Sequence, residues 1–146
     1  MKRVLGLLAL VGLVGAGSCA PTIAPFSEQA YDLAVTLKVR TLALMERATE
    51  PYATHADAVA GLRLELERAH EFAKGRPRNE DSAAQWALMI APDGNLAGGF
   101  LQRWQERSTL GRVFVTEAKG LVAEAFDQII GLESGKLKPG AGGAGR

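Results

Sequence analysis

Apolar residues recur every three or four positions along most of the chain, which is the period of an α-helix with one buried face. The first such segment begins at Ser27, a residue that favours a helix N-cap, and runs to about Thr49, where Pro51 stops it. Its apolar stripe consists of Ala30, Leu33, Ala34, Leu37, Thr41, Leu44, Met45 and Ala48. We therefore expect a first long helix with one face in the core.

A second helix follows Pro51 with the same period. Thr54 and Asp57 resemble a capping box that opens it, and Gly75 with Pro77 closes it. Its stripe consists of Ala58, Val59, Leu62, Leu66, Ala69 and Ala73. This segment is the second predicted long helix.

The last helix, from about Leu110 to Ser134, has the most regular pattern, and Gly135 is its natural stop. Its stripe consists of Phe114, Val115, Ala118, Leu121, Val122, Ala125, Phe126, Ile129 and Leu132. Residues 136–146 are rich in glycine and have no periodicity. We expect them to form a disordered tail.

Two shorter helical segments, 80–91 and 96–107, lie between the long ones. A turn over residues 91–94 separates them, and the pair Gly98-Gly99 weakens the second by about 1 kcal/mol per glycine relative to alanine. We find no strand pattern in the sequence. The prediction is an all-α fold, an antiparallel helical bundle of about three long helices plus one short broken helical pair.

Composition limits the class of protein. The chain has 146 residues, 17 Lys+Arg against 16 Asp+Glu, and a single cysteine. This length suits one domain, and one cysteine excludes a disulfide scaffold. Because the charge is nearly balanced and spread along the chain, we expect no nucleic-acid partner.

The amino terminus has the three-part layout of a secretory signal. Met1-Lys2-Arg3 is basic, residues 4–14 are apolar and uncharged, and residues 15–18 are small. An apolar run of about 11 residues is too short for a membrane-spanning helix, which needs about 20. We expect the segment to direct export and then to be removed.

The end of this segment, Ala16-Gly17-Ser18-Cys19, resembles the lipobox of bacterial lipoproteins, a likeness that covers only the first 20 residues. In that family the position three before the cysteine is most often Leu, and here it is Ala16. The resemblance implies that the signal is cut before Cys19, that its sulfur receives a diacylglycerol, and that its new amino group is acylated. Ala20 is not the Asp that retains many such proteins in the inner membrane, so the resemblance implies the periplasmic leaflet of the outer membrane.

The alternative is an ordinary signal that is cut after Gly17 or Ala20 and releases a soluble periplasmic protein. Pro21 opposes the second cut, and the first would leave Cys19 as an unpaired thiol in an oxidising compartment. With lipidation, the expected organisation is a signal peptide over 1–18, a tether over 19–26, a helical domain over 27–135 and the tail. The membrane would then be one partner, held through the lipid.

Candidate chemistry in the domain is sparse. His55 and His70 have no metal-site spacing, and the sequence has no Cys-x-x-Cys-His, nucleophile-elbow or phosphate-loop motif. We therefore expect no metal and no cofactor. A small enzyme built from scattered Glu, His and Arg residues, His70 among them, is the least favoured class.

Five residues are candidates for contact with a ligand or partner: Arg76, Arg78, Arg103, Trp104 and Arg107. Guanidinium groups suit an anionic headgroup or an acidic protein. Neutralisation by neighbouring acidic residues, with the arginine stems covering Trp104, is the simpler interpretation.

The favoured function is a lipid-anchored, non-enzymatic domain that faces the periplasm and contacts an envelope protein. The alternative is a binding module for an amphipathic or anionic ligand, in a gap between the two short helices near Trp86 and Trp104.

Overall fold

The computed structural model describes residues 24–137, and every regular element in that range is helical. The all-α prediction is thus confirmed for this part of the chain. The α-helices are α1 (Glu28–Met45), α2 (Ala56–Lys74), α3 (Glu80–Ile90), α4 (Ala97–Arg107) and α5 (Arg112–Glu133). Two short 3₁₀ turns, Glu46–Thr49 and Tyr52–Thr54, connect α1 to α2.

Helix α1 begins where its N-cap residue predicts. The hydroxyl of Ser27 accepts a hydrogen bond from the amide of Ala30 at 3.2 Å, which satisfies one of the free amides of the first turn. The α-helix proper ends at Met45, and the predicted final turn is the 3₁₀ segment Glu46–Thr49. A tightened last turn of this kind is common ahead of a proline.

The capping box predicted for α2 is wrong. Thr54 belongs to the 3₁₀ turn, and the N-cap position falls on His55, whose amide bonds to the carbonyl of Tyr52 at 2.8 Å. Within residues 24–137, no side chain caps the first turn of this helix. The predicted end is confirmed, because Gly75 is the C-cap and its amide bonds to Glu71 O at 3.0 Å.

The ion pairs between helices define their directions. Lys38 of α1 contacts Asp127 of α5 at 2.5 Å, and Glu46, directly after the end of α1, pairs with Lys119, which lies earlier in α5, so α1 and α5 are antiparallel. Helix α1 also packs against α2, and α3 packs against both α2 and α5. These contacts support a bundle arrangement around one core.

The core contains the apolar positions that the helical period selects. The largest fully buried apolar side chains are Trp104, Phe126, Leu37, Met45, Leu62, Leu66, Met89, Leu101, Ile129, Val59 and Val122. Two stripe positions are wrong: Leu121 is 53% exposed and Ala58 is also exposed. Both lie at the margin of their stripes, and the arc of each helix that its neighbours cover is narrower than the apolar stripe.

The pair Gly98-Gly99 permits a close backbone approach. A Cβ at Gly98 would overlap the carbonyl oxygen of Ile90, and one at Gly99 would overlap the carbonyl oxygen of Gly94. The predicted turn before α4 is present, with the amide of Gly94 bonded to Ala91 O at 3.1 Å. Gly98 therefore allows α4 to approach the end of α3, and Gly99 allows it to approach the turn that follows α3.

The domain has two ends, which we name for what lies there. The tether end contains the start of α1, the α2–α3 connection and the end of α5, since Arg76 contacts both Pro25 and Glu133. The α4 end contains the end of α1, the start of α2 and α4. Backbone hydrogen bonds from Tyr52 to Ser108 (2.7 Å) and from Leu110 to Ala48 (2.8 Å) close it.

Candidate functional site

Trp104 is the centre of the α4 end. Its side chain is fully buried, and its indole Nε1 donates a hydrogen bond to the carbonyl oxygen of Glu50 at 3.0 Å. The ring of Tyr52 meets it edge-on at 5.7 Å, and the ring of His55 lies 5.5 Å away. Trp104 therefore joins α4 to the connection between α1 and α2, and it is not available to a ligand.

Beside this tryptophan, His55 and Glu50 form a carboxylate–imidazole pair. His55 Nε2 lies 2.7 Å from Glu50 Oε2, and the imidazole is half-buried. The hydrogen bond from His55, with a further one from Arg47, lowers the pKa of Glu50 below its ordinary value of 4.5. Such a pair can exchange a proton, and here it also holds the α1–α2 connection against Trp104.

No pattern in the sequence indicates the pair of Glu50 and His55. Glu50 and His55 are five positions apart and lie outside any α-helix that would place them on one face. Their meeting depends on the 3₁₀ turn Tyr52–Thr54, which the helical period does not reveal.

A groove of about 210 Å³ lies between α4 and α5. Phe100 and Phe114 stack in parallel in its wall, with centroids 5.9 Å apart, and the guanidinium of Arg103 lies 5.0 Å from the centre of the Phe114 ring. The exposed Leu121 and Asn95 also line the groove. Glu117 lines it as well, so the groove combines an aromatic wall, an aliphatic side chain, a cation and a carboxylate.

The five predicted contact residues do not form one patch. Arg103, Trp104 and Arg107 lie on α4, where Arg107 is exposed, whereas Arg76 and Arg78 follow α2 at the tether end. The two ends are separated by the length of α1, which is about 27 Å for 18 residues. A single anionic group cannot contact both sets.

Arg76 belongs to a largely buried polar cluster at the tether end. It forms an ion pair with Glu133, whose side chain is 2% exposed. The same carboxylate accepts hydrogen bonds from Ser82 and, at 3.3 Å, from Asn79 Nδ2. Arg76 Nη2 also donates to the carbonyl oxygen of Pro25 at 2.6 Å. The cluster therefore ties together the start of α1, the α2–α3 connection, α3 and the end of α5.

The expected ligand gap between the two short helices is filled. Trp86 is 2% exposed and meets Phe126 edge-on at 5.9 Å, and Trp104 is fully buried. A space of only about 30 Å³ lies beside Ile90 and Leu101. The prediction of a binding site between α3 and α4 is corrected, because both indoles pack in the core.

A second, larger groove of about 660 Å³ lies between α1 and α2. Its apolar lining includes Leu33, Leu64 and Phe72, and the ion pair between Arg40 and Glu65 crosses from one helix to the other. Charged side chains line much of the remaining surface of this groove.

Several predictions lie outside the described residues, namely the signal over 1–18, Cys19 and most of the tail. Within 24–137, no group of three or more His, Cys, Asp or Glu side chains converges to hold a metal ion. No helix in that range combines the length and hydropathy that crossing a bilayer requires.

Comparison of the chain with protein-family models, curated proteins and solved structures gives no match. Function is therefore argued from the residues of this chain.

Proposed function

We propose that this protein is a bacterial lipoprotein whose helical domain faces the periplasm and has a structural or protein-binding role, without enzymatic activity. The observation that carries the proposal is the sequence Ala16-Gly17-Ser18-Cys19 after a basic and apolar amino terminus. The diacylglycerol on Cys19 and the acyl chain on its amino group would hold the protein in the membrane. One acyl chain binds a bilayer reversibly, and two or more anchor a protein stably.

The proposed domain architecture suits such a role. Three longer helices, α1, α2 and α5, form an antiparallel bundle, and the short pair α3 and α4 completes the wall and closes one end. A rigid domain of this kind presents helix faces and a closed end to another envelope protein. The proposed location is the periplasmic leaflet of the outer membrane, because Ala20 follows the cysteine.

Intact-mass analysis of the full chain made in an enterobacterial host tests the anchor. We expect the membrane fraction to contain a chain that begins at Cys19 and carries the mass of the acyl chains. The variant Cys19→Ser should lose both the acyl mass and this cleavage. A wild-type chain that begins at Ser18, or that retains residues 1–18, would refute the proposal.

Separation of the two membranes by density tests the location. We expect the wild-type protein in the outer membrane and the variant Ala20→Asp in the inner membrane of the same host. Wild-type protein in the inner membrane would contradict the outer-membrane assignment and leave the lipid anchor intact.

A second candidate function is the binding of a small amphipathic anion in the groove between α4 and α5. Arg103, placed over Phe114 beside Phe100 and Leu121, is the observation that favours it. Nuclear magnetic resonance titration with decanoate tests it. We expect chemical-shift changes confined to residues that line the groove. These changes should disappear in Arg103→Gln and persist in the control Arg107→Gln, which alters an exposed arginine of the same helix. Equal shifts in both variants would exclude the groove as the site.

A further inference from the structure

We propose that the tether end of the domain rests on the bilayer that holds the lipid, with Phe26 and Leu137 in the headgroup region. This inference depends on the proposed lipidation of Cys19. It adds an orientation, with a defined surface of the protein against the membrane and the α4 end directed away from it.

The short connection between lipid and domain limits where the domain can lie. Pro25 is six positions after Cys19, so the distance between them is at most about 20 Å, the reach of six fully extended residues. The carbonyl of Pro25 is fixed to the domain by the 2.6 Å hydrogen bond from Arg76, which is itself paired with the buried Glu133. The tether end of the domain therefore lies within about 20 Å of the lipid on Cys19.

Two apolar side chains are exposed at this end. Phe26 is 64% exposed and lies one position after the fixed carbonyl, with its ring 6.5 Å from that of Tyr31. Leu137 is 39% exposed and follows the last turn of α5. Aromatic and aliphatic side chains of this kind enter the interfacial region of a bilayer favourably.

Leu137 is held in place by the end of α5. Its amide donates to the carbonyl of Gly131 at 3.0 Å, and its side chain occupies the space that a Cβ at Gly131 would need. The glycine therefore lets the chain fold back over the helix end, which keeps Leu137 at the tether end.

The charged residues at the tether end determine whether its contact with a bilayer depends on the charge of the lipids. Lys74 pairs with Glu71 at 2.8 Å, Arg76 pairs with Glu133, and Glu28 lies exposed at the start of α1. Two further cations, Arg78 and Lys136, are exposed at this end, and the carboxylates of Glu28, Glu80 and Asp81 offset them in number. Because this end has no excess of positive charge, attraction to anionic lipids is weak. We expect the orientation to be the same in zwitterionic and in anionic vesicles.

The test uses the full lipidated protein in phosphatidylcholine vesicles, after mass analysis has established the acyl chains. The lipid occupies the sulfur of Cys19, so an added cysteine is a unique thiol for a fluorescent probe. Glu80→Cys places the probe at the tether end and Thr109→Cys at the α4 end, both at exposed positions. With nitroxide-labelled headgroups, we expect several-fold greater loss of fluorescence at position 80 than at position 109.

Matched variants test the role of the apolar contact. Phe26→Ser should reduce the fluorescence loss at position 80. Val39→Ser, which alters a side chain of the same 64% exposure on the middle of α1, should not. Repeating the measurement with phosphatidylglycerol added should leave the ratio between the two positions unchanged.

The possible failures are distinguishable. Absence of acyl mass would overturn the proposed function and this orientation together. Acylated protein with equal quenching at both positions would overturn the orientation alone. A signal at position 80 that changes with protein density in the vesicles would assign this surface to a second copy of the chain instead.

Discussion

The hydroxyl of Thr41 is fully buried on the core face of α1 and has no hydrogen-bond partner among residues 24–137. Burial of an unpaired hydroxyl costs about 1–3 kcal/mol. Valine has nearly the same shape and a similar helix propensity. We therefore predict that Thr41→Val raises the free energy of unfolding by about 1 kcal/mol, measured by urea denaturation.

Thr116→Val is the control for this substitution. The hydroxyl of Thr116 is exposed and donates to Arg112 O at 3.0 Å, so its loss should change stability by less than about 0.5 kcal/mol. A destabilised Thr41→Val variant would show that the hydroxyl has a partner in solution.

Two residues of the same predicted stripe should respond differently to truncation. Phe126 is fully buried against Trp86, whereas Leu121 is 53% exposed. Phe126→Ala should cost about 3–5 kcal/mol, and Leu121→Ala less than about 0.5 kcal/mol. Thermal and urea denaturation of both variants measure the difference, and similar losses would place Leu121 in the core.

The helical period of the sequence predicts which apolar residues are buried, but it does not predict which polar residues are buried. It selects Phe126 and Val122 correctly because their environment follows from their own helix. It cannot find the burial of Glu133, because the partners Arg76 and Ser82 are more than 50 positions away in sequence. The arginine candidates failed to form one patch for the same reason.

At the scale of elements, the glycines of α4 give a sharp test. A Cβ at Gly99 would overlap the backbone oxygen of Gly94, so Gly99→Ala must displace α4. We predict destabilisation of about 1–3 kcal/mol, the usual cost of overpacking. Amide hydrogen exchange should show the loss of protection beginning in α4.

Gly120→Ala is the matched control within α5. Nothing lies within 4 Å of a Cβ at that position, and the helix gains from the replacement of glycine. The variant should be more stable by about 0.5–1 kcal/mol. If both alanine variants were stabilised, the close contact of α4 with its preceding turn would be refuted.

The helices and the turn before α4 follow from the sequence, whereas the connection between α1 and α2 does not. Proline, glycine and an N-cap serine are local signals, and they placed the start of α1 at Ser27 and the end of α2 at Gly75. The 3₁₀ turn Tyr52–Thr54 displaced the expected cap, because its conformation is tied to the backbone of Ser108 in a distant segment. The local pattern predicts only that Gly98-Gly99 weakens α4, because the close approach to Ile90 and Gly94 depends on how α4 packs.

At the scale of the whole molecule, carboxylates in several places make stability depend on acid pH. Hydrogen bonds from Lys119, His55 and Lys74 lower the pKa values of Glu46, Glu50 and Glu71, respectively. A carboxylate whose pKa is lower in the folded than in the unfolded state stabilises the fold while it is ionised. Its contribution is complete above the unfolded-state pKa of 4.5 and is lost as the pH falls through the folded-state pKa.

We therefore predict that the urea midpoint stays high above pH 4.5 and falls progressively below it. Glu50→Gln should lower the midpoint at neutral pH and reduce its acid dependence, because the ionised partner of His55 is absent. A midpoint that rises on acidification would contradict these directions.

The hydrogen bond from Arg76 to Pro25 also has a mechanical consequence. If the membrane and the domain were drawn apart, the load would enter at Pro25 and pass through Arg76 to Glu133, the last residue of α5. Tension would then have to break the contacts of Arg76 with Pro25 and Glu133 before it could unfold α1 from its first turn. The contacts of Arg76 would therefore protect α1 from force applied through the amino-terminal segment.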